Sequence, residues 1–297
     1  MATPNTGRRT ARAAIDRPTS SMQVMGFDRT AGMRHMWIVP DWPRPPNVRA
    51  VTTTREGPSR SYYGFNLGTR CGDDPAAVAA NRSFLGEVLL LPSEPCWLQQ
   101  VHGTRVMTVG SPLRREAELP QPERKAADCS YVAVQEADAA ATRSPGVVLA
   151  IQTADCLPVL FAARDGCEIA AAHAGWRGLS AGVLENTLAA MEASPSHVLA
   201  WLGPAIAAES YEVGDEVREA FLAHDPGAAS AFVATRPGHW SCDLYQLARQ
   251  RLHNAGVSRV AGGGFDTFTD PRLHSYRRDG ARSGRMASLV WMLPPAV

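Results

Sequence analysis

The sequence predicts an α+β fold, a single domain of mixed β-sheets with helices packed outside them. Three observations carry this. Short apolar runs bounded by turn residues outnumber the helical patterns. The two kinds of segment do not alternate strictly, as a doubly wound parallel sheet would require. No internal repeat and no linker interrupts the chain after residue 40, so most of the 297 residues read as one unit.

The elements follow in chain order. Residues 1–35 are polar and lack apolar periodicity. They carry Arg8, Arg9, Arg12, Arg17, Arg29 and Arg34 against Asp16 and Asp28, with no apolar stretch of the kind an export signal needs. A disordered tail is expected there, and a catalytic domain over 36–297. The ordered chain is expected to begin near Trp37. "VRAVTTTREG" reads as a strand, because Val and Thr favour extended backbone and Gly57-Pro58 ends it. Asp73-Asp74-Pro75 opens a helix with an apolar face at Val78, Leu85, Val88 and Leu89. "CWLQQVHGTRVMTV" reads as two strands joined at His102-Gly103, and residues 123–146 as polar and irregular. "VVLAIQT", "LPVLF", "EIAAAH" and "VLAWLGP" are buried strands. Leu179, Val183, Leu184, Leu188 and Met191 recur at helical steps after Gly178. Two further helices come from "VGDEVREAFLAH" and from "DLYQLARQRLHNAG", the latter capped by Asp243 and ended by Gly256. "ASLVWML" closes the chain as a strand.

Composition excludes several classes. The formal net charge is +1, with 45% hydrophobic and 20% charged residues, the balance of an ordinary soluble protein. Nothing in it draws the chain to nucleic acid or to a membrane surface. No apolar stretch reaches the ~18 to 20 residues of a membrane helix. Six scattered cysteines without a CxxC pair argue against a zinc ribbon and a dense disulfide framework. Reduced thiols in a cytoplasmic monomer or weak homodimer are expected. Cys71, Cys96, Cys129, Cys167 and Cys242 are expected to serve as small buried hydrophobes.

The chemistry gathers at strand ends. Val101-His102-Gly103, Ala154-Asp155-Cys156 and Ala172-His173-Ala174-Gly175 each place a polar residue beside a small one where an apolar run stops. Small neighbours let a backbone or a ligand come close. Two histidines and one cysteine suit a three-ligand zinc or copper site with one position open, the pattern of a catalytic centre. The same atoms suit a thiol nucleophile, with Cys156 activated by His173 or His102 and Asp155 orienting the base or capping a turn. The two chemistries compete for one cysteine. Arginine is the second theme: Arg55 follows a Thr-rich strand end, Arg177 follows Trp176, and Arg277 and Arg278 lie in "SYRRDG". Guanidinium groups match phosphate oxygens in a bidentate way.

At these residues the chain resembles a known family. "QQVHGTRV", "TADCLPVLF", "AAHAGWRGLSAGVLENT", "LGPAIAAESYEVGDEV" and "SYRRDGARSGRMASLVWM", with "TTREG", "FNLGTRCGDDPAAVAANR" and "ADAAATRSPG", are similar to the laccase-domain family. That family is also described as multicopper polyphenol oxidases and includes peptidoglycan editing factors. The resemblance runs from about Trp37 to Met292. It implies a four-layer α/β/β/α fold with mixed sheets. It implies His102, Cys156 and His173 as metal ligands, with zinc as the ion and copper as the alternative. It implies phosphorolysis of adenosine, inosine and methylthioadenosine, with some adenosine deamination, so the partners are a purine nucleoside and phosphate. Arg55 and Arg177 are then expected at the anion, and Asn66 and Gln100 at polar groups of the substrate. Two departures bear on the pocket rim: Asp266 in "GFDTFTD" stands where a cysteine is frequent, and Leu273-His274 where paired aromatics are common.

Two rival activities use the same residues. One is amide hydrolysis that removes a wrong amino acid from a nucleotide-linked cell-wall precursor. The other is copper oxidase chemistry, which eight histidines without a His-x-His pair support poorly.

Overall fold

Strands that are apolar on both faces need cover on both sides, and the chain supplies it with four layers. The computed structural model describes residues 33, 35–59, 61–110 and 135–293. The first sheet runs in the order β1 (Trp37–Ile38), β2 (Val48–Thr53), β14 (Met286–Met292), β6 (Val148–Thr153), β3 (Cys96–Trp97). The second runs β13 (Arg259–Gly262), β9 (Val198–Leu202), β7 (Leu157–Ala163), β8 (Ile169–Ala174), β5 (Ala139–Thr142), β4 (Val106–Thr108). A small third sheet joins β10 (Glu212–Gly214), β12 (His239–Cys242) and β11 (Phe232–Arg236). Both large sheets are mixed: β3–β6, β4–β5 and β9–β13 pair in parallel, and β6–β14, β5–β8 and β7–β8 antiparallel.

Period-two alternation builds the layers. Leu149 and Ile151 of β6 face the second sheet, meeting Leu160, Ala162, Ile169 and Trp201 in the core between the sheets. Val148 and Ala150 face the other way, onto Phe65, Leu67 and the Leu85 and Leu89 face of α1 (Pro75–Leu89). In the second sheet Val159, Phe161, Ala170 and Ala172 turn outward. They are covered by α2 (Trp176–Ala181), α3 (Val183–Ala190), α4 (Asp215–Leu222) and α5 (Leu244–Asn254). The order is α1, first sheet, second sheet, helices α2 to α5, the expected α/β/β/α arrangement. The expected caps also form: Asp74 accepts from the Ala76 N–H at the start of α1, and Asp243 from the Gln246 N–H at the start of α5.

Several local expectations are corrected. The two strands of "CWLQQVHGTRVMTV" form on either side of His102-Gly103 as expected, but β3 belongs to the first sheet and β4 to the second. The helix expected after Gly178 starts earlier, at Trp176, and is broken by Gly182, whose φ of 97° ends α2 in a left-handed turn. The irregular stretch contains the fully buried strand β5, whose alanines carry little strand signal of their own. The third sheet and β13 were not anticipated. Cys71 and Cys242 are buried thiols, but Cys167 is exposed, since it lies in the turn between β7 and β8. Cys96 is buried, as expected. Cys129 and nearly all of the tail expected over 1–35 lie outside the described residues. Among the described residues no helix is long and apolar enough to cross a membrane.

The outward face of the second sheet gives a direct check. Phe161 is fully buried at the centre of β7. Phe161→Ala should cost about 3 to 5 kcal/mol in a denaturant titration, against ~1 kcal/mol for loss of the α1 cap in Asp74→Ala.

Candidate metal centre and active site

The centre forms where the chain passes from one sheet to the other. It crosses twice nearby. The β3 to β4 connection carries His102, and the β6 to β7 connection carries Asp155 and Cys156. Both crossings need tight turns, and both place a non-glycine residue in the left-handed region: His102 at φ 63° and Asp155 at φ 85°. His173 comes from within β8, opposite Pro158 in the ladder with β7.

The ligand atoms of His102, Cys156 and His173 all lie within 4.8 Å of one another. Cys156 Sγ is 3.7 Å from His102 Nε2, and the two imidazole rings are 4.7 Å apart at their centroids. His173 is buried at 3% exposure, Cys156 is half-buried and His102 is open to solvent. Two imidazoles and a thiolate on one side of a small space are a donor set for a borderline-soft ion, and three protein ligands leave a position free. Gly175 tests the fit. Its φ is −64°, which any residue adopts, so backbone freedom does not explain a glycine here. A Cβ at this position would stand 2.9 Å from Cys156 Sγ, 3.0 Å from His102 Cδ2 and 3.6 Å from His173 Nε2. Glycine keeps open the space that the three ligands face. Gly178 is required for a different contact: a Cβ there would lie 2.7 Å from the Gly103 carbonyl, so α2 packs directly on the turn that holds His102. The His–Cys–His group therefore has the ligand atoms and the room to bind a metal ion.

The Asp138 carboxylate, fully buried just before β5, ties this cluster together. Its Oδ1 accepts from His173 Nδ1 at 2.8 Å and from the His102 N–H at 2.9 Å. Its Oδ2 accepts from the N–H groups of Gly103 at 2.7 Å and Val101 at 3.2 Å. Burial works to raise the carboxyl pKa, and the His173, Gly103 and Val101 donors outweigh it and hold the group below the usual range. The same balance governs the pair in front of it. Burial opposes the Cys156 thiolate, but the His173 charge and hydrogen bonds from His102 and His173 bring the thiol down to about 6. Burial likewise opposes the His173 cation, but the thiolate and Asp138 carry it up to about 9.

A cavity of about 610 Å³ opens on the three ligands. Its wall includes Gln100, Asp155 and three arginine–aromatic pairs: Arg82 over Trp97 at 4.0 Å, Arg277 over Tyr211 at 5.2 Å and Arg285 over Tyr276 at 5.8 Å. Gln100 has both ends of its amide paired with the Gln152 backbone at 2.8 Å, so it shapes the wall. The Asp155 carboxylate is likewise engaged, accepting from the Thr267 hydroxyl and the Arg277 N–H, both at 2.6 Å. It anchors the loops that bring Arg277 to the cavity.

The other expected substrate residues are not brought to this wall. Arg55 faces Asp279 at 3.5 Å, and Arg177 lies exposed against the Trp176 ring. Asn66 is fully buried and braces the chain at Gly68, Asp73 and Arg285. Leu273 and His274 are buried away from the cavity wall, and Asp266 binds the Ala207 N–H and the Ser210 and Thr269 hydroxyls. None of the three lines the cavity. Sequence reasoning missed Asp138, Trp97, Tyr211, Tyr276, Arg82 and Arg285. Of the cavity arginines only Arg277 carried a signal, in "SYRRDG".

The chain is similar to known proteins over most of its length. Residues 49–293 match the profile of a family described as multi-copper polyphenol oxidoreductase laccase. A Xylella fastidiosa protein named purine nucleoside phosphorylase is 51% identical over 266 residues, covering 86% of this chain and 97% of that protein. The Escherichia coli purine nucleoside phosphorylase YfiH is 47% identical over 260 residues, covering 86% and 98%. A crystal structure of a Neisseria meningitidis protein superposes with a TM-score of 0.77 at 42% identity, covering 87% of this chain and all of that one. That of YlmD from Geobacillus stearothermophilus gives 0.71 at 27%, covering 87% and 96%.

The geometry makes two predictions. Gly175→Ala should leave the fold intact by circular dichroism while zinc retention on dialysis is lost. The charge pairing predicts the pH response. Without metal, the pair is thiolate and imidazolium between about pH 6 and 9, and a bound ion must displace the His173 proton. Zinc affinity should therefore fall about tenfold per pH unit from 9 to 6, and more steeply below, where the thiol also competes. An affinity measured against a competing chelator that stays flat across this window would show that the pair is not ionised.

Proposed function

Because the chain belongs to the multi-copper polyphenol oxidoreductase laccase family, we propose that it is a zinc-dependent purine nucleoside phosphorylase acting on adenosine, inosine and methylthioadenosine. The observation that carries the reading is the His102–Cys156–His173 group opening onto a cavity walled by arginine–aromatic pairs. The names of the relatives at 47 to 51% identity support it. Phosphorolysis joins a phosphate oxygen to ribose C1′, breaks the bond to the purine nitrogen and leaves a proton on the departing base. The chain's part is to hold both reactants. The faces of Trp97, Tyr211 and Tyr276 offer stacking surfaces for a purine, and Arg277 and Arg285 offer guanidinium donors for the phosphate. These take over the role that the sequence suggested for Arg55 and Arg177. His102, Cys156 and His173 would hold zinc, which supplies Lewis acidity here and suits adenosine deamination as well.

A second reading has one observation in its favour. Cys156, His173 and Asp138 stand in line as thiol, imidazole and carboxylate, the arrangement of a thiol hydrolase. Such a site would serve amide hydrolysis on a nucleotide-linked cell-wall precursor. Polyphenol oxidation is not favoured: among the described residues there is one His–Cys–His group, and separate electron-entry and oxygen-reducing centres need more ligands.

Two measurements decide between these. Adenosine with phosphate should yield adenine and ribose 1-phosphate by chromatography; base release that proceeds equally without phosphate would sink the phosphorylase reading. Cys156→Ser, His102→Ala and His173→Ala should each lose zinc together with activity. Native Cys156 should react slowly with iodoacetamide until a chelator is added. A zinc-free native enzyme inactivated by one equivalent of iodoacetamide would instead establish the thiol hydrolase.

A further inference from the structure

Three ligand atoms aimed at one point need something behind them to hold the aim. We infer that Asp138 is the positioning residue of the centre, fixing the tautomer of one ligand and the backbone of another through a single carboxylate. The inference rests on the metal reading of the His–Cys–His group.

The Asp138 carboxylate has four donors on its two oxygens: His173 Nδ1 and the His102 N–H on Oδ1, and the Gly103 and Val101 N–H groups on Oδ2. An ionised carboxylate offers acceptors only. The imidazole must therefore keep a proton at Nδ1, so the proton that a metal ion displaces is the one on Nε2, whose lone pair then faces Cys156 and the cavity. The backbone reinforces this, since the His173 N–H donates to the Asp138 carbonyl at 2.7 Å and fixes the two residues side by side across the β5–β8 ladder. The second ligand is held by other means. His102 sits at φ 63°, where a residue with a Cβ is strained, and the N–H groups on both sides of its Cα converge on the carboxylate. Turning the 101–103 backbone toward a relaxed conformation would break those bonds and swing the His102 ring away.

An amide cannot do this. Asparagine at 138 would bring an NH2 group against two of the four donors. Facing His102 and His173, it would force the imidazole proton onto Nε2, the ligand atom itself. Facing Val101 and Gly103, it would push the turn off.

The test compares zinc affinity of the wild-type chain and Asp138→Asn by chelator competition, together with 15N shifts of the histidine side chains in the zinc-loaded wild type. The expected loss of affinity is about 10- to 100-fold, and His173 should carry its proton at Nδ1. A folded Asp138→Asn that binds zinc within twofold of wild type, whatever its melting temperature, overturns the inference. So does a wild-type His173 without a proton at Nδ1, a readout that stands even where the variant does not fold. A wild-type chain that retains no zinc at all removes the metal reading and the inference with it.

Discussion

The centre depends on one buried negative charge. A carboxylate taken fully out of water is costly unless each lone pair finds a donor. At Asp138 all four donors come from the residues that frame the site. The arrangement is mutual. The 101–103 turn keeps its left-handed residue because the carboxylate collects its N–H groups, and the carboxylate stays ionised because that turn and His173 surround it. The β5–β8 ladder fixes Asp138 next to His173, so strand register in the second sheet decides the chemistry in front of it.

Four layers serve the same end. Two sheets packed face to face give rigid edges, and the chain crosses between them at β3 to β4 and at β6 to β7. His102 and Cys156 face the cavity from these two crossings. This is how a histidine and a cysteine separated by 54 residues reach one point. Glycine then sets the clearances: Gly175 leaves room in front of the ligands, and Gly178 lets α2 rest on the turn behind them.

Much of this was legible in the sequence. His102, Cys156 and His173 stood out because each is a reactive residue beside small ones at the end of an apolar run. The apolar strands were legible from their length and content, and the caps of α1 and α5 from Asp74 and Asp243. Asp138 was hidden in an alanine-rich stretch that has weak strand propensity and reads as irregular. The cavity arginines were hidden for another reason. A guanidinium's neighbours are set by long-range packing, so Arg55 and Arg177 looked as suitable as Arg277, and Arg285 did not stand out at all. That β3 and β4 lie in different sheets was also hidden, because a local pattern cannot say to which sheet a strand belongs.

The double crossing has a mechanical consequence. Of the three ligands, two sit on separate connections between the sheets and the third on a strand of the second sheet. An ion held by all three would tie the second sheet to both of the links that lead back to the first. Straightening either link would then have to give up a ligand, so binding to the folded form would stabilise it by mass action.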